Sequence, residues 1–370
     1  MSRAFLLQSN IVSPLGFTTK ANFDAVYEGK TGFKIEGGFC SSVINNEVLE
    51  ATFNKNISSD KRFTRLEKMC LLSVKDVLES SKVDTKSEKT LLIISTTKGN
   101  IDVLEGAYKN EIPRERVYLH EFATVIADHF SFINKPIVIS NACISGLLAL
   151  IMAKRFLEKE QYENIIVCGG DIVSPFTLTG FKSLSALSDE PCRPFDKNRK
   201  GINLGEAAAS ILVSSKPTNN CVELVAGSSS NDANHISGPS RTGEGLFQCL
   251  SEILKEQPDF INAHGTATEY NDEMEAIAFS RMKLEQIPIN SLKSYYGHTL
   301  GAAGVVESIL CMESLKQNKM IASEGFDQTG TSVKLNVIEK SIPKTLNACI
   351  KTASGFGGCN AAAFFKKYNG

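Results

Sequence analysis

The sequence predicts an α/β layered fold of two related halves, and three observations support this prediction. Short β-branched and apolar runs alternate with longer segments of helical periodicity along the chain. The polar segment 214–220, SSKPTNN, interrupts this alternation and divides the chain into parts of similar organisation. The segments CISG (143–146) and HTLG (298–301) each follow a short strand and a corner and lead a long apolar helix. We therefore expect a diverged duplication with halves at 1–215 and 216–370.

Elements of the first half are predicted from the period of their apolar residues. The predicted strands are 4–12, 91–95, 137–139, 165–168 and 208–213. The predicted helices are 20–29, 62–80, 121–132 and the segment that follows Cys143. Residues 32–56 are less regular. Residues 181–205 are polar, rich in turn signals and too long for an ordinary connection, which is typical of an active-site loop.

The second half repeats this alternation. Its predicted strands are 222–226 and 260–263, and its predicted helices are 244–255, 272–282 and 305–316. The C-terminal segment 355–358, GFGG, is expected to form a flexible, hairpin-like loop that presents backbone N–H groups.

Composition and charge exclude several classes of protein. The 370 residues carry a formal net charge of −1, which argues against wholesale nucleic-acid binding. Ten cysteines without a CxxC pair or a Cys/His cluster predict no metal site and favour a reducing cytosol. The N-terminus does not resemble a signal peptide. The uncharged run 136–153 is near the length of a membrane span, but polar residues interrupt it, so we expect a core helix and no integral membrane segment.

Cys143 is the first candidate for chemistry, because it stands between a predicted strand and a long helix. Asn141 is a natural helix cap, so the thiol is expected to lie at the positive end of that helix. A helix N-terminus favours the thiolate, which is the nucleophilic form of cysteine. The competing interpretation is a buried packing residue, the commonest state of a cysteine.

Two of the five histidines stand in glycine-flanked corners after predicted strands. His264 and His298 could each be structural, but together with a cysteine at a matching corner they indicate a catalytic cluster. Lys293 lies just upstream of His298. Asp272 and Glu275, one turn apart on the predicted helix after His264, are expected to hold Lys293 or a histidine by charge, or to be solvated.

An ordered set of motifs resembles the β-ketoacyl-acyl carrier protein synthases, which are condensing enzymes of the thiolase-like fold. The matching segments, in the family's order, are SPLG (13–16), NAC (141–143), RPFD (193–196), NAHGTAT (262–268), KSYYGH (293–298) and GFGG (355–358). The resemblance spans nearly the whole chain. It implies an α-β-α-β-α arrangement of layers with two pseudo-duplicated halves.

The resemblance also implies roles for these residues. Cys143 is expected to be the acylated nucleophile, with His264 and His298 as the catalytic pair and Lys293 supporting the site together with Glu275. Phe356 lies on the gating loop, and its N–H and that of Cys143 would form an oxyanion hole. Thr266 and Thr268 are expected to contact the phosphopantetheine arm of the substrate. The other residues expected to bind substrate are Phe195, Ile144 and Gly355.

The implied reaction is decarboxylative condensation of a cysteine-bound acyl group with malonyl-acyl carrier protein, giving a 3-oxoacyl product. No tightly bound cofactor is implied, because the carrier protein brings its own phosphopantetheine. The family expectation is a homodimer, and a heterodimer with a related synthase-like subunit is the alternative. Ile144, the short segment 99–132, Lys200, Asn203 and Cys359 depart from the family pattern. These departures favour a specialised polyene or polyketide-like pathway over housekeeping fatty-acid elongation.

Two other functions remain open at this stage. A catalytically silent chain-length-factor-like subunit shares the fold, but such subunits generally lack the nucleophile. A cysteine acyl hydrolase would need the thiol but not the second histidine or Lys293.

Carrier proteins are acidic, so the sequence also predicts a basic docking surface. The expected members are Arg62, Arg65, Lys68, Lys197 and Lys200. The first three lie on the predicted helix 62–80 and are expected to be exposed.

Overall fold

A computed structural model describes residues 3–36, 38–108, 111–235 and 238–368 of the protein. Fifteen strands lie in the described ranges: β1 Phe5–Val12, β2 Lys34–Glu36, β3 Phe39–Ser42, β4 Thr90–Ser95, β5 Ile137–Ile139, β6 Asn164–Asp171, β7 Leu204–Gly205, β8 Ala207–Ser214, β9 Val222–Asn231, β10 Phe260–Asn262, β11 Ile289–Asn290, β12 Lys319–Met320, β13 Ile342–Pro343, β14 Ala348–Gly355 and β15 Cys359–Lys367. The α-helices of the same ranges are α1 Thr19–Tyr27, α2 Asn46–Asn56, α3 Arg65–Ser81, α4 Leu119–His129, α5 Ser145–Glu158, α6 Pro175–Ser183, α7 Glu244–Ile253, α8 Glu269–Arg281, α9 Lys293–Tyr296 and α10 Ala303–Gln317.

Ten of these strands form one continuous sheet in the order β11-β10-β14-β15-β9-β1-β8-β6-β4-β5. From the centre outwards, the first half has the order β1-β8-β6-β4-β5 and the second half has the order β9-β15-β14-β10-β11. In both halves these are the first, fifth, fourth, second and third strands that the half contributes to the sheet. In both halves the two central pairings are antiparallel and the two outer pairings are parallel. The same topology occurs twice, which confirms the predicted duplication. We propose 215/216 as the boundary, because β8 ends at Ser214 and β9 begins at Val222.

Three hydrophobic cores separate the layers. One core packs α3 and α4 on the outer face of the first half, and another packs α7 and α8 on the outer face of the second half. The central core contains α5 and α10 between strands of both halves. Helices therefore alternate with sheet in the α-β-α-β-α order that the sequence predicts.

The two central helices approach each other so closely that glycine is required. A Cβ on Gly146 would lie 2.8 Å from the backbone nitrogen of Val305, and a Cβ on Gly304 would lie 2.1 Å from that of Leu147. Such distances exclude any side chain at these positions. This contact places the N-terminal ends of α5 and α10, and with them Cys143 and His298, beside each other.

Several predicted elements differ from the observed ones. Residues 32–56 contain β2, β3 and α2, and α6 follows β6 and extends into the first three residues of the polar segment 181–205. The GFGG loop joins two long strands, β14 and β15, that the sequence analysis did not identify. Their sequences, ACIKTASG and CNAAAFFKK, contain alanine, asparagine and lysine, which are poor strand formers, and tertiary packing overrides this preference.

The uncharged run 136–153 forms β5, the corner at Cys143 and the first two turns of α5. Among the described residues, the helices are all too short or too polar to cross a membrane.

The predicted exposure of two basic side chains on α3 is wrong. Arg65 is only 17% exposed and makes an ion pair with the fully buried carboxylate of Glu206, while donating to the carbonyl of Ile44 at 2.5 Å. Lys68 is largely buried and pairs with Glu50 at 2.5 Å. Only Arg62 of the three is exposed, and it lies 3.3 Å from Glu111. Helical periodicity cannot reveal such partners, because Glu206 is distant in sequence.

We expect Arg65→Met to lower the free energy of unfolding by about 3 kcal/mol, because the substitution leaves the Glu206 carboxylate buried without its counter-charge. Urea denaturation measures this change. The matched control is Lys75→Met on the same helix, which removes the i,i+4 pair with Glu79 and should cost less than about 0.5 kcal/mol. Equal losses in the two variants would contradict the structural role of Arg65.

Candidate active site

Cys143 lies in the corner between β5 and α5. The corner is formed by a left-handed residue, Ala142 at φ 43°, and α5 begins at Ser145 with Ile144 in the capping position. The predicted cap by Asn141 is wrong, because no side chain caps α5 and the N–H of Asn141 instead donates to the hydroxyl of Ser145 at 2.8 Å. The thiol thus precedes the helix by two residues and is 8% exposed.

The glycine-rich loop between β14 and β15 closes over Cys143. A Cβ on Gly355 would lie 3.0 Å from the backbone nitrogen of Cys143 and 2.8 Å from the sulfur of Cys359. Glycine at 355 therefore permits the close approach of the loop. A backbone hydrogen bond from Phe356 reaches the Cys143 thiol, while the Phe356 side chain is 39% exposed and stacks on Phe181.

The thiol and the two imidazoles form one cluster. Reactive atoms of Cys143, His264 and His298 all lie within 4.8 Å of one another. The two imidazole rings meet edge to face, with centroids 5.1 Å apart at 82°. All three side chains are buried. Residues from both halves of the chain thus converge at one point.

The resting thiol is not the thiolate that the sequence analysis expects. Burial, and to a smaller extent the neighbouring Cys359, raise the pKa of Cys143 to about 12. Lys293, the N–H of Phe356 and Lys98 oppose this effect without overcoming it. Since a buried anion is unfavourable, the helix terminus does not decide the charge state. An imidazole within 4.8 Å is placed to accept the thiol proton when a substrate arrives.

Hydrogen bonding defines the tautomer of His298. The N–H of Leu300 donates to Nδ1 at 3.1 Å, so a neutral ring carries its proton on Nε2. Nε2 is buried and has no hydrogen-bond partner among the described residues. Burial lowers the pKa of His298 well below its usual value, and Lys293 and Lys351 lower it further. His298 therefore presents an N–H donor that is free for a substrate.

His264 stands on a corner that two carboxylates hold by its backbone. Glu275 accepts hydrogen bonds from the N–H groups of His264 at 2.8 Å and Gly265 at 2.6 Å. Asp272 accepts from Thr266 at 2.9 Å and from Phe195 at 2.7 Å. The expectation that these carboxylates hold Lys293 or an imidazole is wrong, because both bind backbone N–H groups instead.

The His264 imidazole is also kept neutral. Burial lowers its pKa well below the usual value, and Lys293, His298 and Lys351 act in the same direction. Its Nδ1 is buried without a hydrogen-bond partner in the part of the chain that the structure describes. Both histidines thus have a nitrogen available for chemistry.

Lys293 has a different partner from the one predicted. Its Nζ donates to Glu307 Oε1 at 2.7 Å, and the Nζ of Lys351 lies 2.6 Å from Glu307 Oε2. All three groups are buried. Burial raises the pKa of Glu307, but the two ammonium groups outweigh this effect and hold the pKa below its usual value. Sequence reasoning missed Glu307 and Lys351, although each is a single charge inside a long apolar run, which was a usable signal.

The predicted substrate-binding residues surround this cluster. The hydroxyls of Thr266 and Thr268 lie 2.8 Å apart at the start of α8. Phe195 is buried, with its ring against Gly265, and Ile144 is buried in the central core. Their contacts with substrate stay predictions.

Family comparison agrees with this architecture. Residues 19–219 match the family model of the β-ketoacyl synthase N-terminal domain, and residues 222–327 match that of its C-terminal domain. The chain belongs to the β-ketoacyl synthase family and is a condensing enzyme of the acyltransferase class.

Individual relatives extend this similarity along the chain. The 3-oxoacyl-(acyl-carrier-protein) synthase 2 of Vibrio harveyi is 26% identical over 423 residues, covering 99% of this chain and 98% of the relative. The ketosynthase ApeO of Xenorhabdus doucetiae, solved with its chain length factor ApeC, has a TM-score of 0.84 at 21% identity, covering 99% of this chain and 98% of that one. The ishigamide ketosynthase/chain length factor has a TM-score of 0.88 at 20% identity, covering 99% of both chains. These two structures share the fold of the protein.

Proposed function

We propose that the protein joins an acyl group held on Cys143 to the two-carbon unit of malonyl-acyl carrier protein, releasing carbon dioxide and giving 3-oxoacyl-acyl carrier protein. The convergence of the thiol with two neutral imidazoles within 4.8 Å carries this proposal. A nucleophile and two donors in one buried site are the groups that acyl transfer followed by carbanion formation requires.

In the first step, the sulfur of Cys143 attacks the carbonyl carbon of the incoming acyl thioester. A neutral imidazole accepts the thiol proton and returns it to the departing carrier thiol, so a new C–S bond replaces the old one. The negative charge on the carbonyl oxygen would be stabilised by the N–H groups of Cys143 and Phe356. One such donor is typically worth about 10²- to 10³-fold in rate.

In the second step, the malonyl thioester carbonyl accepts a hydrogen bond from Nε2 of His298. The bond between the malonyl α-carbon and its carboxylate breaks, and its electron pair forms an enolate that this N–H stabilises. The enolate carbon attacks the Cys143 thioester, which forms the new C–C bond and releases the sulfur as the leaving group. The His264 imidazole, with its ring centroid 5.1 Å from that of His298, would assist this N–H at the same oxygen.

Incubation with acyl- and malonyl-acyl carrier protein tests this function. Carbon dioxide release with a 3-oxoacyl product is expected. Release of free acid alone would instead indicate the cysteine hydrolase, and absence of covalent acylation would indicate the silent chain-length-factor-like subunit. Mass spectrometry of Cys143 acylated by a panel of carrier thioesters identifies the chain length and separates fatty-acid from polyene or polyketide-like synthesis.

We propose that phosphopantetheine enters attached to the carrier protein, past the exposed ring of Phe356 and along the hydroxyls of Thr266 and Thr268. The protein itself would need no tightly bound cofactor. We propose no metal at the site, because a divalent cation would be repelled by the ammonium groups of Lys293 and Lys351.

We propose a dimer, with an identical or a related subunit, formed along β5. This strand is the outer edge of the large sheet, and in the described part of the chain it pairs only with β4. Its residues Ile137, Val138 and Ile139 are only half-buried, so the edge exposes apolar side chains and unpaired backbone groups. Sedimentation measures the oligomeric state.

All ten cysteines are free thiols, which favours our proposal of a cytoplasmic location.

The docking surface for the carrier protein needs revision, because Arg65 and Lys68 are largely buried in their ion pairs. We propose that Lys197 and Lys200, exposed within the segment 181–205, and Arg62 form it, since the ion pairs of Lys200 with Glu190 and of Arg62 with Glu111 lie at the surface.

We expect Lys197→Glu/Lys200→Glu to raise the KM for malonyl-acyl carrier protein roughly tenfold at low salt and much less at high salt, because exposed charges steer association and are screened. The control is Lys216→Glu, a lysine 78% exposed outside this surface, which should leave KM unchanged. An unchanged KM in the double variant at low ionic strength would contradict this surface.

A further inference from the structure

The second buried lysine, Lys351, has no role in the reaction proposed above. It lies on β14, and its register partner on β10 is Asn262, two residues before His264. Its side chain is fully buried, which is rare for a lysine because burial disfavours the charged form. A group so costly to bury needs a compensating interaction.

The contacts of Lys351 connect it to both sides of the active site. Nζ lies 2.6 Å from Glu307 Oε2, while Lys293 pairs with Oε1 of the same carboxylate. Nζ donates at 3.4 Å to the carbonyl of Ala263, the residue before His264. Nζ also donates to the carbonyl of Thr352 at 2.5 Å. The Thr352 hydroxyl in turn donates to Glu275 at 3.0 Å.

Two ammonium groups on one carboxylate give the cluster an unusual charge. With both lysines protonated, Lys293, Lys351 and Glu307 carry a net charge of +1, whereas a single lysine–glutamate pair would be neutral. The positive charge lies beside the two imidazoles, and an imidazolium next to an ammonium is unfavourable.

We propose that Lys351 is a positioning residue that uses this excess positive charge to keep His264 and His298 as neutral N–H donors during malonyl decarboxylation. It acts through the histidines and through the backbone at Ala263. The inference rests on the proposed function, since it assigns Lys351 to the second step. The Lys351 ammonium is one of the groups that lower the pKa of both imidazoles, which agrees with this role.

Four other ionisable side chains lie near the imidazoles or act on the site: those of Cys143, Asp272, Glu275 and Lys98. Cys143 is a neutral thiol at neutral pH, because its pKa is raised to about 12. Asp272 and Glu275 bind backbone N–H groups on the side of α8, and Lys98 reaches the site from the loop after β4. Burial raises the pKa of Glu275 and the Lys351 ammonium opposes this effect, so Glu275 responds to a substitution of Lys351 together with the imidazoles.

The test is the pH profile of carbon dioxide release from malonyl-acyl carrier protein in Lys351→Met, from about pH 5 to about pH 8. Removing the ammonium raises the pKa of the imidazoles. As the pH is lowered, the imidazoles of the variant therefore become protonated at a higher pH than those of the wild-type enzyme. The acidic limb of kcat should therefore move upward by about one pH unit. The control is Lys366→Met, which removes an exposed lysine on β15 that pairs with Glu256. It should leave the pH profile unchanged.

A second variant separates charge from packing. Lys351→Met/Glu307→Gln removes one positive and one negative charge, which restores the net +1 of the cluster. Its acidic limb should return toward that of the wild-type enzyme, although two buried groups have been changed. A limb that stays shifted or moves further, or an unshifted limb in folded Lys351→Met, would overturn the proposal.

A measurement on the wild-type enzyme keeps the inference testable if Lys351→Met does not fold. NMR of the ¹⁵N-histidine-labelled protein should show His264 and His298 neutral at about pH 6, below the usual histidine pKa. An imidazolium at either position at that pH would overturn the role of Lys351. This titration needs no substrate, so an imidazolium at that pH would overturn the inference even if carbon dioxide release, and with it the proposed function, fails in the wild-type enzyme.

Discussion

Cys143→Ala is expected to lose covalent acylation and condensation by at least about 10³-fold while still releasing carbon dioxide from malonyl-acyl carrier protein. In the proposed reaction the thiol forms the acyl thioester, and no other described cysteine belongs to the cluster with both histidines. The bond to the malonyl carboxylate, by contrast, breaks without help from sulfur. The product of the variant should be an acetyl thioester, because the enolate finds no acyl group to attack.

Carbon dioxide and product mass are measured on the same sample, so that the two half-reactions are compared directly. The matched control is Cys221→Ala, which removes a buried thiol at the start of β9 and should keep both activities. Persistent acylation of the Cys143→Ala protein would show that another residue is the nucleophile. Loss of both activities in a folded variant would contradict the proposed division between thiol and histidines.

His298→Ala is expected to lose malonyl decarboxylation by about 10²- to 10³-fold and to keep substantial acylation of Cys143. The N–H on Nε2 is the donor for which the structure shows a defined tautomer and no competing partner. Acylation needs only a base for the thiol proton, and the neutral His264 imidazole remains within reach.

Mass spectrometry of the acylated enzyme and carbon dioxide release measure the two steps in His298→Ala. His120→Ala is the control, because His120 is 74% exposed and outside the cluster, and it should change neither step. A parallel loss of acylation and decarboxylation in His298→Ala would mean that this histidine also serves the first step.

Much of the fold could be predicted because its signals are local. Apolar period separates strands such as Thr90–Ser95 from helices such as Arg65–Ser81, and the polar segment 214–220 coincides with the junction of the two halves. The strands β14 and β15 were missed because their alanine-rich sequences form strands only between neighbours in the sheet.

The candidate site divides in the same way. Cys143, His264 and His298 are recognisable because each stands in a short motif at the end of a predicted strand, and a layered α/β fold brings such corners together. The partners of Lys293 and Arg65 were not recognisable. Glu307 and Glu206 reach them from other elements, and no local period encodes a contact across such a sequence separation.

The sequence by itself therefore determined the alternation of elements and the duplication, and it indicated Cys143, His264 and His298 as candidate reactive residues. Only the tertiary structure decided their charge states. The protonated thiol of Cys143 and the neutral imidazoles follow from burial, which disfavours charge more strongly than a helix end favours it. The extra ammonium of Lys351 acts on the site because β14 pairs with β10 and brings it against Glu307. Desolvation and through-space charge depend on the complete packing around a group, which the order of residues along the chain does not contain.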